Sequence, residues 1–349
     1  MSATNTSNTI IDPTLLLTPY QLNIYLGLFI FVTGNISWIG NITVFSSRNF
    51  RSRACSVYLI AESCFNFLYF DYVLVTRIIQ KGFRLPIINR YDVVCKIRQF
   101  LSQYTHQVAF TLFTLATIDR FLSTHRSNAY RNWSNRVSLA YKIVPSVIVF
   151  WFLLVGHRLF LYSNISGVCA AHPGFYEKLD IYFEAIMSGV CPPVVLLILG
   201  CALLRNVRQV VHRRIQPTGI VSQALAVSPY YIQQIDAQLT NMLLLQSFVA
   251  IPSFFPYGAQ NLYSNITEDW YKSPLRLAWE TVFIELIRLF SYLFYSTSFY
   301  VSFYSSRNFR KAVLQVLRIE RFQMSTDSAN TRAQMISANV GRKNEHKPA

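Results

Sequence analysis

An aspartate and an arginine stand side by side at Asp119-Arg120-Phe121, near the inner end of the apolar run 93–123. A carboxylate next to a guanidinium in such a setting can hold a buried charge and release it. The plainer reading is a basic membrane anchor with its counter-ion. The run 277–304 carries Glu285 and Arg288 one turn apart, with Glu280 above them. Ionisable groups at membrane depth are candidates for binding or switching, although Glu285 and Arg288 could simply pair with each other. Arg77, Lys81, Arg84, Arg90, Lys96 and Arg98 give one rim a basic character suited to an anionic or peptide ligand. The six histidines, at 106, 125, 157, 172, 212 and 346, lack a His-x-x-x-His spacing, and no Ser/His/Asp set stands out. We therefore expect neither an enzyme, a metal site nor a cofactor.

The elements that must carry these groups follow from composition. Of 349 residues, 52% are hydrophobic and 14% are charged, against about 25% charged in a soluble domain. Phe (27) and Tyr (21) outnumber Gly (12) and Pro (13) together. Apolar runs occupy 20–45, 55–80, 93–123, 137–162, 179–208, 236–260 and 277–304, each long enough to cross a bilayer with tilt. Pro145, the Pro192-Pro193 pair and Pro252 lie inside runs, as membrane helices tolerate. The expectation is an all-α membrane protein, a seven-transmembrane bundle over 20–305. It is preceded by an extracellular tail (1–19) and followed by an amphipathic helix (306–320) and a disordered cytoplasmic tail (321–349).

Lys and Arg favour segments that are inside if the N-terminus is outside, by roughly two to one, which predicts N-out and C-in at the plasma membrane. The net charge of +16 is dispersed between apolar runs rather than gathered in a patch, so no nucleic-acid partner is expected. The sequons at Asn5, Asn164 and Asn265 fall on segments predicted to be outside, and are the expected glycosylation sites. Those at Asn35, Asn41 and Asn132 fall within a span or inside, and should be bare. The basic clusters Arg131–Arg136 and Arg208–Arg214 could meet a cytoplasmic partner or acidic lipid.

Cys95 precedes Arg120 by 25 residues, which at 1.5 Å per residue separates them by ~37 Å, about one membrane thickness. Cys95 then faces the oxidising side, where Cys169 is its one candidate partner in an outer loop; the alternative is two unpaired thiols. With Gly40-Asn41, Trp151, Pro192 or Pro193, Pro252 and Phe309-Arg310 in order along seven N-out runs, the chain resembles the rhodopsin-like (class A) G-protein-coupled receptors over about 20–320. It departs from their pattern at several points. Asn66 stands where the family has an aspartate, which disfavours a bound sodium ion. Val249-Ala250-Ile251-Pro252 lacks the family's tryptophan, and the Asn-Pro-x-x-Tyr motif is dissolved, with Tyr300 or Tyr304 as its tyrosine.

The resemblance implies a receptor whose Asp119, Arg120 and Phe121 couple to a heterotrimeric G protein. The family's acid that would hold Arg120 is absent at its expected place, Ile232, and Asp236, one turn further along, could substitute. The resemblance also implies a ligand pocket at Arg98, Ser102, Gln103 and His106, joined by Glu280, Glu285 and Arg288. Ser102 occupies the position of the amine receptors' aspartate, so a peptide is favoured over a monoamine. His106 is either a contact or a satisfied interior histidine. The span 277–304 has no lysine for a retinal Schiff base. A receptor-like protein that does not couple, and a small-solute transporter, are the competing readings.

Overall fold

The computed structural model describes residues 12–125, 127–134, 136–215 and 227–316, with the side chains at 48, 49, 128, 132, 207–215 and 227–236 outside that description. Among the described residues the chain is helical except for one hairpin. Its long helices are α1 (Pro13–Phe45), α2 (Ala54–Gly82) and α3 (Asp92–Thr124), then α4 (Val137–Leu161). They continue as α5 (Phe175–Glu184, Ala185–Val190 and Cys191–Ile215), α6 (Val227–Ile266) and α7 (Pro274–Ser291 and Leu293–Ser305). Strands β1 (Tyr162–Ile165) and β2 (Val168–Ala171) pair antiparallel between α4 and α5.

Five of these helices are long and apolar enough to cross a membrane: Pro13–Phe45, Ala54–Gly82, Val137–Leu161, Phe175–Asn206 and Ala237–Ile266. Five such helices mark a multi-pass helical membrane protein. The expected spans at 93–123 and 277–304 are helical too, but they do not meet that measure. The reason is chemical: α3 buries Gln103, Thr105, His106, Gln107, Asp119 and Arg120, and α7 carries Arg276, Glu280, Glu285 and Arg288.

α1 is apolar on the outside and mostly small or polar on the inside. Along α1 the buried positions Asn23, Gly27, Ile30, Gly34, Ser37 and Asn41 recur every three or four residues, while Tyr25, Phe29, Val32 and Ile36 stay exposed. That stripe packs through small residues and hydrogen bonds, as helices do when lipid offers no hydrophobic contrast. Asn41 Nδ2 donates to Ser298 Oγ at 2.7 Å, and the Phe299 backbone N–H donates to Ser37 Oγ at 3.1 Å, locking α1 to α7. A Cβ on Gly34 would meet the Phe70 ring at 2.7 Å, so α1 and α2 are in close contact there. At the α5–α6 contact the backbones of Gly189 and Gly258 touch, leaving no room for a side chain on either.

α2 is α-helical to Leu68, then π-helical over Tyr69–Leu74 and Ile78–Gly82. π turns in helices often accompany functional positions, and here they flank Arg77. The end of the bundle holding Asp119 is closed by an aromatic cluster: Phe45, Phe50 and Phe309 have ring centroids 5.6–6.4 Å apart. Phe309 opens a helix over 307–316 that buries Phe309 and Ala312 and exposes Leu314, one residue later than the expected start at 306. Of the expected N-terminal tail 1–19, residues 1–11 lie outside the described residues, while 13–19 form the first turns of α1; the expected tail at 321–349 and the end of the amphipathic helix beyond 316 also lie outside them.

Candidate functional site

The site is assembled from the outer half of α3 and what folds over it. Cys95 and Cys169 form the expected disulfide, with Cα atoms 5.6 Å apart. It fixes the hairpin β1–β2 against α3. In the register, Ile165 faces Val168, so the turn is the two residues Ser166 (φ 52°) and Gly167 (φ 83°). Two positive φ values define the turn whose twist suits a two-residue hairpin, and Gly167 adopts one without steric cost.

The hairpin is also pinned by hydrogen bonds. The Asn164 backbone N–H donates to Asp92 Oδ1 at 2.9 Å, and the Cys169 N–H donates to Asn89 Oδ1 at 3.3 Å. Hydrogen bonds from Lys96 and from the Asn164 N–H hold the Asp92 carboxyl below the usual carboxylate range, the Lys96 bond foremost.

Behind the hairpin is a cavity of about 280 Å³. Its wall includes Arg98, Ser102, Gln103, His106 and Arg288, so five of the seven expected ligand residues share one space. The other two do not line it. Glu280 accepts from Lys272 Nζ at 2.7 Å and from Arg276 Nε at 2.8 Å at the outer end of α7. Glu285 is ion-paired with Arg77 of α2 and accepts from Asn23 Nδ2 of α1 at 2.9 Å. The pairing of Glu285 with Arg288 that their spacing allows is therefore not made. Arg77 reaches Glu285 from across the bundle and ties α1, α2 and α7 at one point.

Residues absent from the expected set complete the wall. Glu184 of α5 accepts from Arg158 Nη2 at 3.0 Å and from Tyr257 Oη at 2.5 Å. Arg158, 1% exposed, also meets Asp180 at 2.9 Å, and Asp180 accepts from Tyr162 Oη at 2.6 Å. The two acids within the run 179–208, Asp180 and Glu184, one turn apart, were the available signal. Tyr69 and Tyr292 stack with centroids 4.8 Å apart and form the cavity floor with His106 and Phe254. Tyr295 Oη lies 3.1 Å from His106 Nδ1, while Nε2 of that ring, Nε2 of Gln103 and the Nε atoms of Arg98 and Arg288 are buried without a hydrogen-bond partner. His106 is thus both an interior histidine and a wall residue.

At the far end of α3, Asp119 and Arg120 form a buried ion pair, with Arg120 Nε donating to Asp119 Oδ2 at 3.0 Å. Ser134 Oγ donates to the Asp119 carbonyl at 2.9 Å. Phe121 packs edge-on against His125, and its carbonyl accepts from Asn206 Nδ2 at 3.4 Å. On α2, the Glu62 carboxyl accepts from Asn66 Nδ2 at 3.0 Å. The side chain of Asp236 lies outside the described residues, as do the side chains of the basic cluster Arg208–Arg214.

Of the expected glycosylation sites, Asn5 lies outside the described residues. Asn164 donates its side-chain amide to the Asn89 carbonyl, so a glycan there requires that bond to open. Asn265 sits on the last turn of α6, its amide donating to the Asn261 carbonyl at 3.1 Å, with the sequon's Thr267 buried. The sequence matches no protein-family model and no curated protein.

Proposed function

We propose that this chain is a cell-surface receptor of the rhodopsin-like type. In this reading seven spans, N-out and C-in at the plasma membrane, bind an extracellular ligand and activate a heterotrimeric G protein. The observation that carries the reading is the division of labour along one helix. α3 presents Arg98, Ser102, Gln103 and His106 to a cavity beneath a disulfide-held hairpin. At its other end it buries the Asp119–Arg120 pair. A ligand that favours one arrangement of α3, α6 and α7 shifts the population of the bundle as a whole. Opening of the Asp119 end then exposes Arg120 to the G protein.

The two helices that fall short of membrane apolarity, α3 and α7, are those that bring Arg98 and Arg288 to the cavity. Polar residues within a span face the bundle interior or a cavity rather than lipid, so their polarity is compatible with their counting as spans three and seven. The ligand reading favours a peptide over a monoamine, because Ser102 offers no charge to an ammonium and the guanidiniums of Arg98 and Arg288 on the wall suit an anionic group. Lipid is the surrounding partner, and nucleic acid and cofactors have no role in this reading.

The test is Arg120→Ala in cells expressing the chain, read by surface labelling and by G-protein activation during a neuropeptide screen. The expected outcome is a ligand response in the wild type and none in the variant at equal surface abundance. An undiminished response in the variant rejects the role of Arg120. Residues 1 and 349 labelled from the same side of the membrane reject the seven-span reading altogether.

A further inference from the structure

The cavity contains two guanidiniums that its own carboxylates do not engage. Arg77 is paired with Glu285. Arg158 is paired with Asp180 and Glu184, and the second oxygen of Glu184 is taken by Tyr257. Arg98 and Arg288 line the same space, yet among the described residues neither guanidinium makes an ion pair or donates a hydrogen bond, and the Nε atom of each is buried. Leaving a buried cation without a partner is costly. Two in one cavity, each within electrostatic range of the other, repel as well. Such an arrangement is expected where a ligand provides the missing anion.

We infer that Arg98 and Arg288 together hold the carboxylate of a small ligand, or of one end of a larger one, inside this cavity. A guanidinium binds a planar carboxylate through two parallel N–H donors, a geometry that an ammonium cannot reproduce. Charge balance selects a monoanion: Glu177 and Glu184 are also on the wall and oppose a dianion such as inorganic phosphate. Size agrees, since about 280 Å³ is at the lower end of ligand sites, which run from about 300 to 1,000 Å³. The stacked Tyr69 and Tyr292 supply an apolar floor for the rest of the molecule, and the unpartnered Nε2 of Gln103 supplies one further donor. The inference deepens the receptor reading and rests on it for the side from which the ligand arrives, but not for the chemistry of the cavity.

The full-length chain, purified into lipid nanodiscs, is to be unfolded thermally with matched probes. N-acetylphenylalanine and its amide represent a peptide terminus; hexanoate and hexanamide represent a free acid. The expected result is a raised midpoint with at least one acid and none with its amide, the shift vanishing in Arg98→Gln and in Arg288→Gln. A shift confined to N-acetylphenylalanine assigns the carboxylate to a peptide end, and a shift with hexanoate assigns it to a free acid. Without probe, both variants are expected to unfold no lower than the wild type, because each removes an unpaired cation; a purely structural role predicts the opposite.

Arg288→Lys, which keeps the charge, is expected to lose most of the acid's advantage. If the glutamine variants fail to fold, that variant and the wild-type acid–amide comparison decide the question. No acid outperforming its amide, or an advantage that survives in the Arg98→Gln/Arg288→Gln double variant, overturns the inference. Acid binding without G-protein activation removes the receptor reading alone. Activation by a neutral, amidated ligand with no acid binding removes the carboxylate site alone.

Discussion

The two ends of the bundle treat buried arginine differently. At the Asp119 end, Arg120 is 1% exposed and held by the neighbouring carboxylate, above an aromatic plug of Phe45, Phe50 and Phe309. At the hairpin end, Arg77 and Arg158 are held in the same way, but Arg98 and Arg288 face a cavity whose wall acids, Glu177 and Glu184, form no ion pair with either. The difference separates cations that are part of the scaffold from cations that are available. A guanidinium with its carboxylate satisfied has little to offer a ligand, whereas one left unpaired in a polar hollow is predisposed to bind.

The largest expected effect tests the scaffold class. Asp180→Ala strips Arg158 of one carboxylate and Tyr162 of its acceptor, and should lower unfolding free energy by about 3–5 kcal/mol, measured by thermal or denaturant unfolding in nanodiscs. A loss no greater than that of Arg288→Gln would erase the distinction between held and available arginines. A smaller effect is expected at the wall between α5 and α6. Gly258→Ala forces the touching backbones apart and should cost about 1–3 kcal/mol. If the cavity depends on that contact, the acid-induced midpoint shift should shrink with it. An unchanged shift would confine the site to α2, α3 and α7.

Some of this was legible in the residues. The apolar runs locate α2, α3, α4 and α7 to within about three residues, because a membrane-length stretch without charge has few alternatives, whereas α1, α5 and α6 extend six to nine residues past their runs. The disulfide was legible because Cys95 lies at the outer end of its run, 25 residues before Arg120, and Cys169 is the one cysteine in an outer loop. Arg98, Ser102 and His106 follow a four-residue spacing, so they share a helix face once α3 is recognised. The partner of Glu285 was not legible. Its neighbour in sequence, Arg288, satisfies the helical spacing, but Arg77, 208 positions away, makes the pair. No local pattern reports a contact set by how α2 rotates, and the π turns on either side of Arg77 change that rotation without a sequence signal as clear as proline. Glu184 and the β1–β2 hairpin were missed for a related reason: a pair of acids at the outer end of a run and two four-residue strands are weak signals beside a long apolar stretch.

The smallest effect concerns the fastening of the hairpin. The Asp92 carboxyl is held below its ordinary value in the folded chain, so its anchoring of Asn164 is present above the unfolded value. It is lost as pH falls through the lowered one. Hydrogen exchange at the Asn164 amide should therefore show constant protection near neutral pH and a loss only in acid. Asp92→Asn should flatten that acid limb while leaving the Cys95–Cys169 bond intact. An acid limb that persists in the variant would assign the fastening to another group.

The bond between Cys95 and Cys169 closes a ring across a sequence separation of 74 residues, and that ring contains the rest of α3 and all of α4. During synthesis at about 5–20 residues per second, the second sulfur follows the first by about 4–15 s. Two complete helices must therefore be made and threaded past one another before the ring can shut. Its closure is a late stamp on the order of assembly, applied only to chains whose third and fourth rods have already come to lie side by side.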